Sequence, residues 1–238
     1  MKKPSPAHWA LFNVIRERLL EGLVDSFEPG MVKEMLGIVP RRNLPRSEPS
    51  TANERYWMIW FWELSEINAT LERLGQIFTY LSHYPGSRVF RGLSEADWLR
   101  YHIEFHLQET YVLRERLKRF LKKVEKATAE ARDKSGLSVA RVLKTRVDLS
   151  LKNIVSARGG HVHHYRFDDE ELKKLDGLVL ITTMRSFGVF RPLRKLQYRE
   201  TLGKFRRQLR RNNREIRKMC VYIFEETTKI LVRNEPSR

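Results

Sequence analysis

The stretch ARGGHVHHYRF, residues 157–167, carries three histidines, two arginines and a tyrosine, all side chains able to do chemistry. His161, His163 and His164 fall within four positions, and Arg158 precedes them. Histidine titrates near neutral pH and suits proton transfer, whereas arginine keeps its charge and offers a planar fork that matches phosphate oxygens. This combination of residue types is suited to cleaving a phosphodiester.

A second group of residues is basic and lies at 204–218, KFRRQLRRNNREIRK, where Glu215 is the only acidic residue. Helical spacing places its cations in one stripe and its apolar residues, Phe205, Leu209 and Ile216, toward a core. The whole chain has 46 Lys and Arg against 29 Asp and Glu, a formal net charge of +17. We therefore predict an RNA-binding track of phosphate contacts, made of Arg207, Arg210, Arg211, Arg214 and Lys218.

The elements that must position these residues are all helical, because apolar residues recur at helical spacing and no strand pattern is found. Ser94 and Asp97 predict the capped start of a long helix that runs to about Arg132. Its expected inward stripe is Trp98, Tyr101, Phe105, Val112, Leu117, Phe120 and Val124. A second helix should follow Gly136 and run toward Ala157, with Gly159 and Gly160 interrupting it. A third should be capped by Asp168, and a fourth should open at Pro192 with Leu196 among its inward residues.

The predicted organisation is a four-helix up-and-down bundle at residues 94–234, preceded by an N-terminal helical extension at residues 1–93. The block YWMIWFW at 56–62 is too short to span a bilayer, and we interpret it as core or as an oligomer contact. The single cysteine, Cys220, excludes an internal disulfide and suggests a reducing compartment. The start of the chain does not read as a signal peptide. We expect a cytoplasmic protein without a membrane partner.

The motif R-x4-H-x-Y, formed by Arg158, His163 and Tyr165, follows a long helix and lies at the junction of two predicted bundle helices. This arrangement resembles the HEPN superfamily, and it looks most like the HEPN toxins that pair with nucleotidyltransferase antitoxins. The resemblance covers roughly residues 94–234. It departs from the family at Gly159, where Asn or another polar residue is frequent, and this puts fine positioning in doubt.

The resemblance implies a metal-independent endoribonuclease, a toxin or defence effector, that needs no cofactor. Arg158 and His163 would be its catalytic pair. It also implies a homodimer that brings two motifs to one cleft, and an antitoxin or other regulatory partner. In such toxins, the tyrosine corresponding to Tyr165 is where the antitoxin attaches a nucleotide.

Helical geometry leaves the choice of histidine open. Positions five apart on an unbroken helix do not share a face, so Arg158 would align with His161 and not with His163. We expect the two glycines to unwind the turn and re-aim His163. If they do not, His161 or His164 becomes the catalytic candidate. Glu104 or Glu109, on the preceding long helix, is a candidate for orienting Arg158.

Other interpretations of the cluster remain. His102 and His106, with Glu109 on the same helix face, would ligate zinc or nickel together with the later histidines if the helices met at the right level. Otherwise, His102 and His106 are surface or interhelix polar groups. The cluster itself could simply cap helix ends. The protein as a whole could be a non-catalytic helical binder of RNA or protein, or a membrane-surface protein.

Overall fold

The computed structural model describes residues 52–81, 93–163 and 169–235, with the backbone alone at 53–54, 153, 155, 157–163 and 185–186. These residues form five α-helices and no strand, which confirms the all-α prediction. The helices are α1 Ala52–Leu81, α2 Glu95–Glu130, α3 Lys134–His163, α4 Glu170–Thr183 and α5 Arg191–Arg233, and a 3-10 helix, Arg185–Phe190, joins the last two. Within the described ranges, no helix is long and apolar enough to cross a bilayer.

The chain divides into two compact units, and each is assembled from separated parts of the sequence. The described residues of the first unit are 52–66, 119–144 and 220–235, and those of the second are 67–81, 93–118, 145–163 and 169–219. Helix α1 contributes to both units. The domain boundary predicted between residues 93 and 94 stays a prediction.

The core of the first unit is aromatic. Trp57 and Trp60 are buried, and the ring of Trp60 meets Phe120 edge-on at 5.8 Å between centroids. The core interpretation of the YWMIWFW block is therefore confirmed for its two inward tryptophans. Ile59 and Trp62 lie on the outer side of the helix and are about half exposed, at 50% and 46%.

The turn between α2 and α3 requires a glycine at position 136. Arg132 adopts a left-handed backbone conformation with φ of 57°, and the Asp133 carboxylate accepts a hydrogen bond from the Gly136 amide at 2.9 Å. A Cβ atom at Gly136 would lie 2.9 Å from the Thr128 Cγ2 atom. Gly136 belongs to the first turn of α3, and the glycine allows the end of α2 to pack closely against it.

The second unit has an aliphatic core that brings together α1, α2, α4 and α5. Its buried members are Leu81, Ala96, Leu99, Ile103, Leu107, Leu172, Leu175, Phe205 and Leu209. The stripe predicted for the start of α2 was wrong, since Tyr101 is 59% exposed. The first half of α2 is apolar on two adjacent faces, and the aliphatic face of Leu99 and Ile103 is the one that the neighbouring helices cover.

Several helix ends agree with the sequence prediction. The Ser94 hydroxyl accepts a hydrogen bond from the Asp97 amide at 3.0 Å, as a capping box requires, and Pro192 lies in the first turn of α5. The N-cap of α4 is Asp169, whose carboxylate accepts from the Glu171 amide at 3.0 Å. The prediction of Asp168 as the cap was therefore wrong by one residue, because the Asp169 carboxylate is the one that accepts from the first turn of α4.

The end of α3 contradicts the sequence prediction. The helix continues through Gly159 and Gly160 and ends at His163, so the glycines do not interrupt it. Glycine costs only about 1 kcal/mol relative to alanine inside a helix, and tertiary packing readily offsets such a cost. Here Ile154, one turn before Arg158, packs against the aliphatic core of the second unit.

Candidate nucleic-acid interface

The middle of α5 presents a basic face to solvent. All five predicted RNA-binding residues are exposed, while Phe205, Leu209 and Ile216 on the opposite side of the helix are buried. We call these five the basic stripe: Arg207, Arg210, Arg211, Arg214 and Lys218. Spacings of three and four residues place them on one side of the helix, as the sequence predicted.

The basic stripe is only slightly neutralised. No carboxylate of the described residues forms an ion pair with Arg207, Arg211 or Arg214, whereas Lys218 pairs with Glu215 at 3.0 Å. Neighbouring arginines this close repel each other unless anions neutralise them. The stripe is therefore suited to a polyanion.

Phe78 of α1 supports one edge of the stripe. The guanidinium groups of Arg206 and Arg210 lie over its ring, at 5.5 Å and 5.2 Å from the centroid. Cation–π contacts of this kind hold an arginine in place while leaving its N–H groups free to bind phosphate. The sequence analysis did not identify Phe78, although the spacing of Arg206 and Arg210, four residues apart on α5, is the signal for a shared neighbour.

Of the predicted catalytic residues, Arg158, His161 and His163 lie on the helical backbone at the end of α3. Position 161 follows position 158 by three residues, close to one helical turn, whereas position 163 follows by five. His164 and Tyr165 lie outside the described residues. The roles assigned to these five residues stay predictions.

The chain after the motif is tied to α5 beside the basic stripe. Asp169, six residues after His163, forms an ion pair with Lys204 at 3.0 Å, and Lys204 precedes Arg207 by less than one helical turn. Six extended residues span at most about 20 Å. The Cα atom of His163 therefore lies within about 20 Å of the Asp169 Cα atom.

The two glutamates proposed to orient Arg158 differ in their surroundings. Glu109 is buried and accepts a hydrogen bond from Arg73 Nε at 2.7 Å, a partner that the sequence analysis missed. Glu104 is partly exposed and lines an open cavity of about 310 Å³ together with Asp97, Arg100 and Tyr101. Glu109 thus already has Arg73 as its cationic partner. That Glu104 or Glu109 orients Arg158 stays a prediction.

His102 and His106 are buried in the second unit rather than on its surface, 4% and 1% exposed. His106 Nε2 lies 2.9 Å from Asn213 Oδ1, and Asn213 donates its amide to the Leu74 carbonyl at 3.2 Å. Neither ring nitrogen of His102 has a hydrogen-bond partner in the part of the chain that the structure describes, and the Trp98 ring packs against the imidazole at 4.3 Å between centroids.

In the part of the chain that the structure describes, no three His, Cys, Asp or Glu side chains are grouped so as to hold a metal ion. His106 has Asn213 as its polar neighbour, and His102 is enclosed by the rings of Tyr80, Trp98 and Tyr101. His106 is thus an interhelix polar group that joins α2 to α5. The metal interpretation also needs the side chains of His161, His163 and His164, which lie outside the described ones, and it stays a prediction.

Comparison of the chain with models of protein families, with curated proteins and with solved structures finds no match.

Proposed function

We propose that this protein binds RNA along the basic stripe of α5 and cleaves it without a metal at the Arg158–histidine cluster. The observation that carries the proposal is the exposed basic face of Arg207, Arg211 and Arg214, with which no carboxylate of the described residues forms an ion pair. The Asp169–Lys204 ion pair supports it, because it anchors the chain after the motif next to that face. Phosphates bound along α5 would then have the motif within reach.

The proposed reaction uses the nucleophile that RNA itself carries. A neutral histidine takes the proton of the 2′-hydroxyl, and the 2′-oxygen bonds to the adjacent phosphorus. The bond from phosphorus to the 5′-oxygen then breaks, and a histidinium gives that oxygen a proton. The products are a 2′,3′-cyclic phosphate and a 5′-hydroxyl. The Arg158 guanidinium neutralises the charge that develops on the phosphorane oxygens.

One histidine cannot act as general base and general acid in the same reaction step. We therefore propose a two-fold dimer that brings two motifs together. The continuous helix at the end of α3 favours His161 as the histidine nearest to Arg158, because the two positions are three apart. The resemblance to the HEPN motif favours His163 instead. Separate variants of each histidine distinguish these assignments.

The test is RNA cleavage in the presence of EDTA, with product ends analysed for the cyclic phosphate. Arg158→Ala should reduce cleavage by about 10²- to 10⁴-fold, as should alanine at the catalytic histidine. Lys152→Ala is the matched control, since Lys152 is an exposed cation on the same helix and should be dispensable. Cleavage that survives Arg158→Ala, or that EDTA abolishes, would exclude this mechanism.

Binding is tested separately from cleavage. Replacing Arg207, Arg211 and Arg214 by glutamine should weaken binding to all RNA sequences alike. It should also reduce the slope of the logarithm of the binding constant against the logarithm of the salt concentration by about two, since each single-strand phosphate contact contributes about 0.7. The control replaces three exposed cations of the first unit, Lys122, Lys126 and Arg141, by glutamine. Equal loss in both triple variants would mean that net charge, and not the stripe, binds RNA.

The second candidate function is a non-catalytic helical protein that binds RNA. The helical backbone through Gly159 and Gly160 favours it, because an unbroken helix keeps position 163 off the face of position 158. RNA binding that depends on the basic stripe, without cleavage by either the wild type or any motif variant, would establish this alternative.

A further inference from the structure

The hairpin formed by α4 and α5 ends in an exposed apolar surface that has no role in RNA binding. Eight of the fifteen large apolar side chains exposed in the described residues lie within 180–196, and the most exposed, Val189, is 78% accessible. We call this surface the apolar tip: Leu180, Ile181, Met184, Phe187, Val189, Phe190, Leu193 and Leu196. So dense a group is unusual on a monomer surface and marks a site of interaction.

The shape of the apolar tip follows from the pairing of the two helices. Glu171 accepts a hydrogen bond from Gln197 at 2.8 Å, and Thr182 accepts one from Arg194 at 3.0 Å, so α4 and α5 run antiparallel. The 3-10 helix, Arg185–Phe190, is the turn of this hairpin. The apolar tip is therefore the projecting end of the hairpin, with Val189 in its turn.

Positive charge surrounds the apolar tip. Residues 177–199 include five Lys and Arg and no Asp or Glu, and Arg191, Lys195 and Arg199 are exposed at the start of α5. Arg194 is held by Glu95 at 3.2 Å. A partner that binds the apolar tip must therefore be compatible with the cations at the edge of the tip.

A second copy of the chain is an unfavourable occupant of the apolar tip. A two-fold contact through the tip would bring the cationic edges of both copies together, which is unfavourable. The cationic edge of the tip therefore favours an anionic occupant over a second copy.

RNA fits less well. Unpaired bases stack on aromatic rings such as those of Phe187 and Phe190, but the other six side chains of the tip are not aromatic and offer no stacking surface. A fluid lipid interface fits better. It accepts a projecting apolar group without a matching cavity, and anionic headgroups attract the surrounding cations. We propose that the apolar tip docks this protein on an anionic phospholipid surface, with Phe187, Val189 and Phe190 inserted among the acyl chains.

The test is sedimentation of the full chain with vesicles of phosphatidylcholine alone or mixed with phosphatidylglycerol. The wild type should bind the mixed vesicles and bind phosphatidylcholine only weakly. Replacing Phe187, Val189 and Phe190 by serine should weaken binding to the mixed vesicles by about tenfold or more, since it removes the inserted apolar surface without changing the charge. Circular dichroism checks that these exposed substitutions leave the helices intact.

The matched control replaces Val142 and Leu149 by serine, because both are exposed apolar residues outside the tip, at 60% and 69%. This variant should bind like the wild type. Arg191→Gln with Lys195→Gln should weaken binding at low salt and have little effect at high salt, where screening already removes the electrostatic attraction.

Three results would overturn the proposal. One is no binding of the wild type to mixed vesicles. Another is undiminished binding of the serine variant, which would make the attraction one of net charge alone. The third is a wild type that self-associates in solution and becomes monomeric on the serine substitutions, which would assign the tip to a second copy. RNA cleavage is measured on soluble substrate, so its failure would not bear on this result.

Discussion

Glu63 in the first unit and His106 in the second are both buried titratable groups, 8% and 1% exposed, but only one of them carries a charge in the fold. Burial raises the pKa of the Glu63 carboxyl, but hydrogen bonds from Lys123 at 2.8 Å and Arg119 at 3.0 Å outweigh burial, and its pKa is lowered. Burial lowers the pKa of His106, against a smaller opposite effect of its hydrogen bond with Asn213.

A lowered pKa therefore has opposite consequences in the two regions. It means that Glu63 stays ionised, since two cations stabilise the carboxylate, whereas His106 and its neighbour His102 stay neutral. Whether a buried group is charged depends on its partners: Glu63 has two cations, whereas the partner of His106 is the neutral Asn213.

The largest effect should come from removing both partners of Glu63. Arg119→Met with Lys123→Met leaves a buried carboxylate without its cations. We expect the free energy of unfolding to fall by about 2–3 kcal/mol, less than for a fully buried pair, because solvent already screens the half-exposed cations. Urea denaturation followed by circular dichroism measures it. Lys122→Met with Lys126→Met, which removes two exposed cations from the same helix, should change it by about 0.5 kcal/mol or less. Equal losses in the two variants would contradict a special role for Glu63.

A pH titration of stability should separate the two regions. The folded pKa values of His102 and His106 lie below the unfolded value because both rings are buried. Stability should thus fall as pH drops below about 6.5, by up to about 1.4 kcal/mol per pH unit for each histidine. The Glu63 contribution is present above the unfolded glutamate pKa and is lost only as pH falls through its lowered folded pKa, so it persists at pH 5.5 or so.

The matched variant for this titration is His102→Phe with His106→Gln, because neither new residue titrates and the glutamine amide can still donate to Asn213. Its stability should be nearly flat between about pH 7 and about pH 5.5. A slope as steep as that of the wild type would show that other histidines of the chain cause the acid sensitivity.

The smallest effect should be that of His102→Phe at neutral pH. Both ring nitrogens of His102 are buried and have no hydrogen-bond partner among the described residues, so an apolar ring of similar size removes an uncompensated polar group. The free energy of unfolding should stay the same or rise, by about 1 kcal/mol at most. His106→Phe should instead lower it, because Asn213 Oδ1 loses its neighbour. A loss of stability in His102→Phe as large as in His106→Phe would contradict this distinction.

Local signals correctly predicted the starts of α2 and α5 and the exposure of the basic residues on α5. Ser94 and Asp97 cap α2, and Pro192 opens α5, because these effects involve only neighbouring residues. The orientation of the basic stripe also follows from local spacing, since burying Phe205 and Leu209 forces Arg207 and Arg211 outward. The catalytic roles of Arg158 and the histidines remain predictions.

The sequence by itself determined that the chain is all-α and which side of α5 is basic, because helical periodicity is a property of a short segment. Only the tertiary structure decided which apolar face of α2 is buried, that Leu196 is exposed at the apolar tip, and that α3 continues past Gly159 and Gly160. It also decided that Glu63 has two cations, while His102 has no hydrogen-bond partner within the described ranges. These outcomes depend on which residues, far apart in the sequence, become neighbours, and no local pattern contains that information.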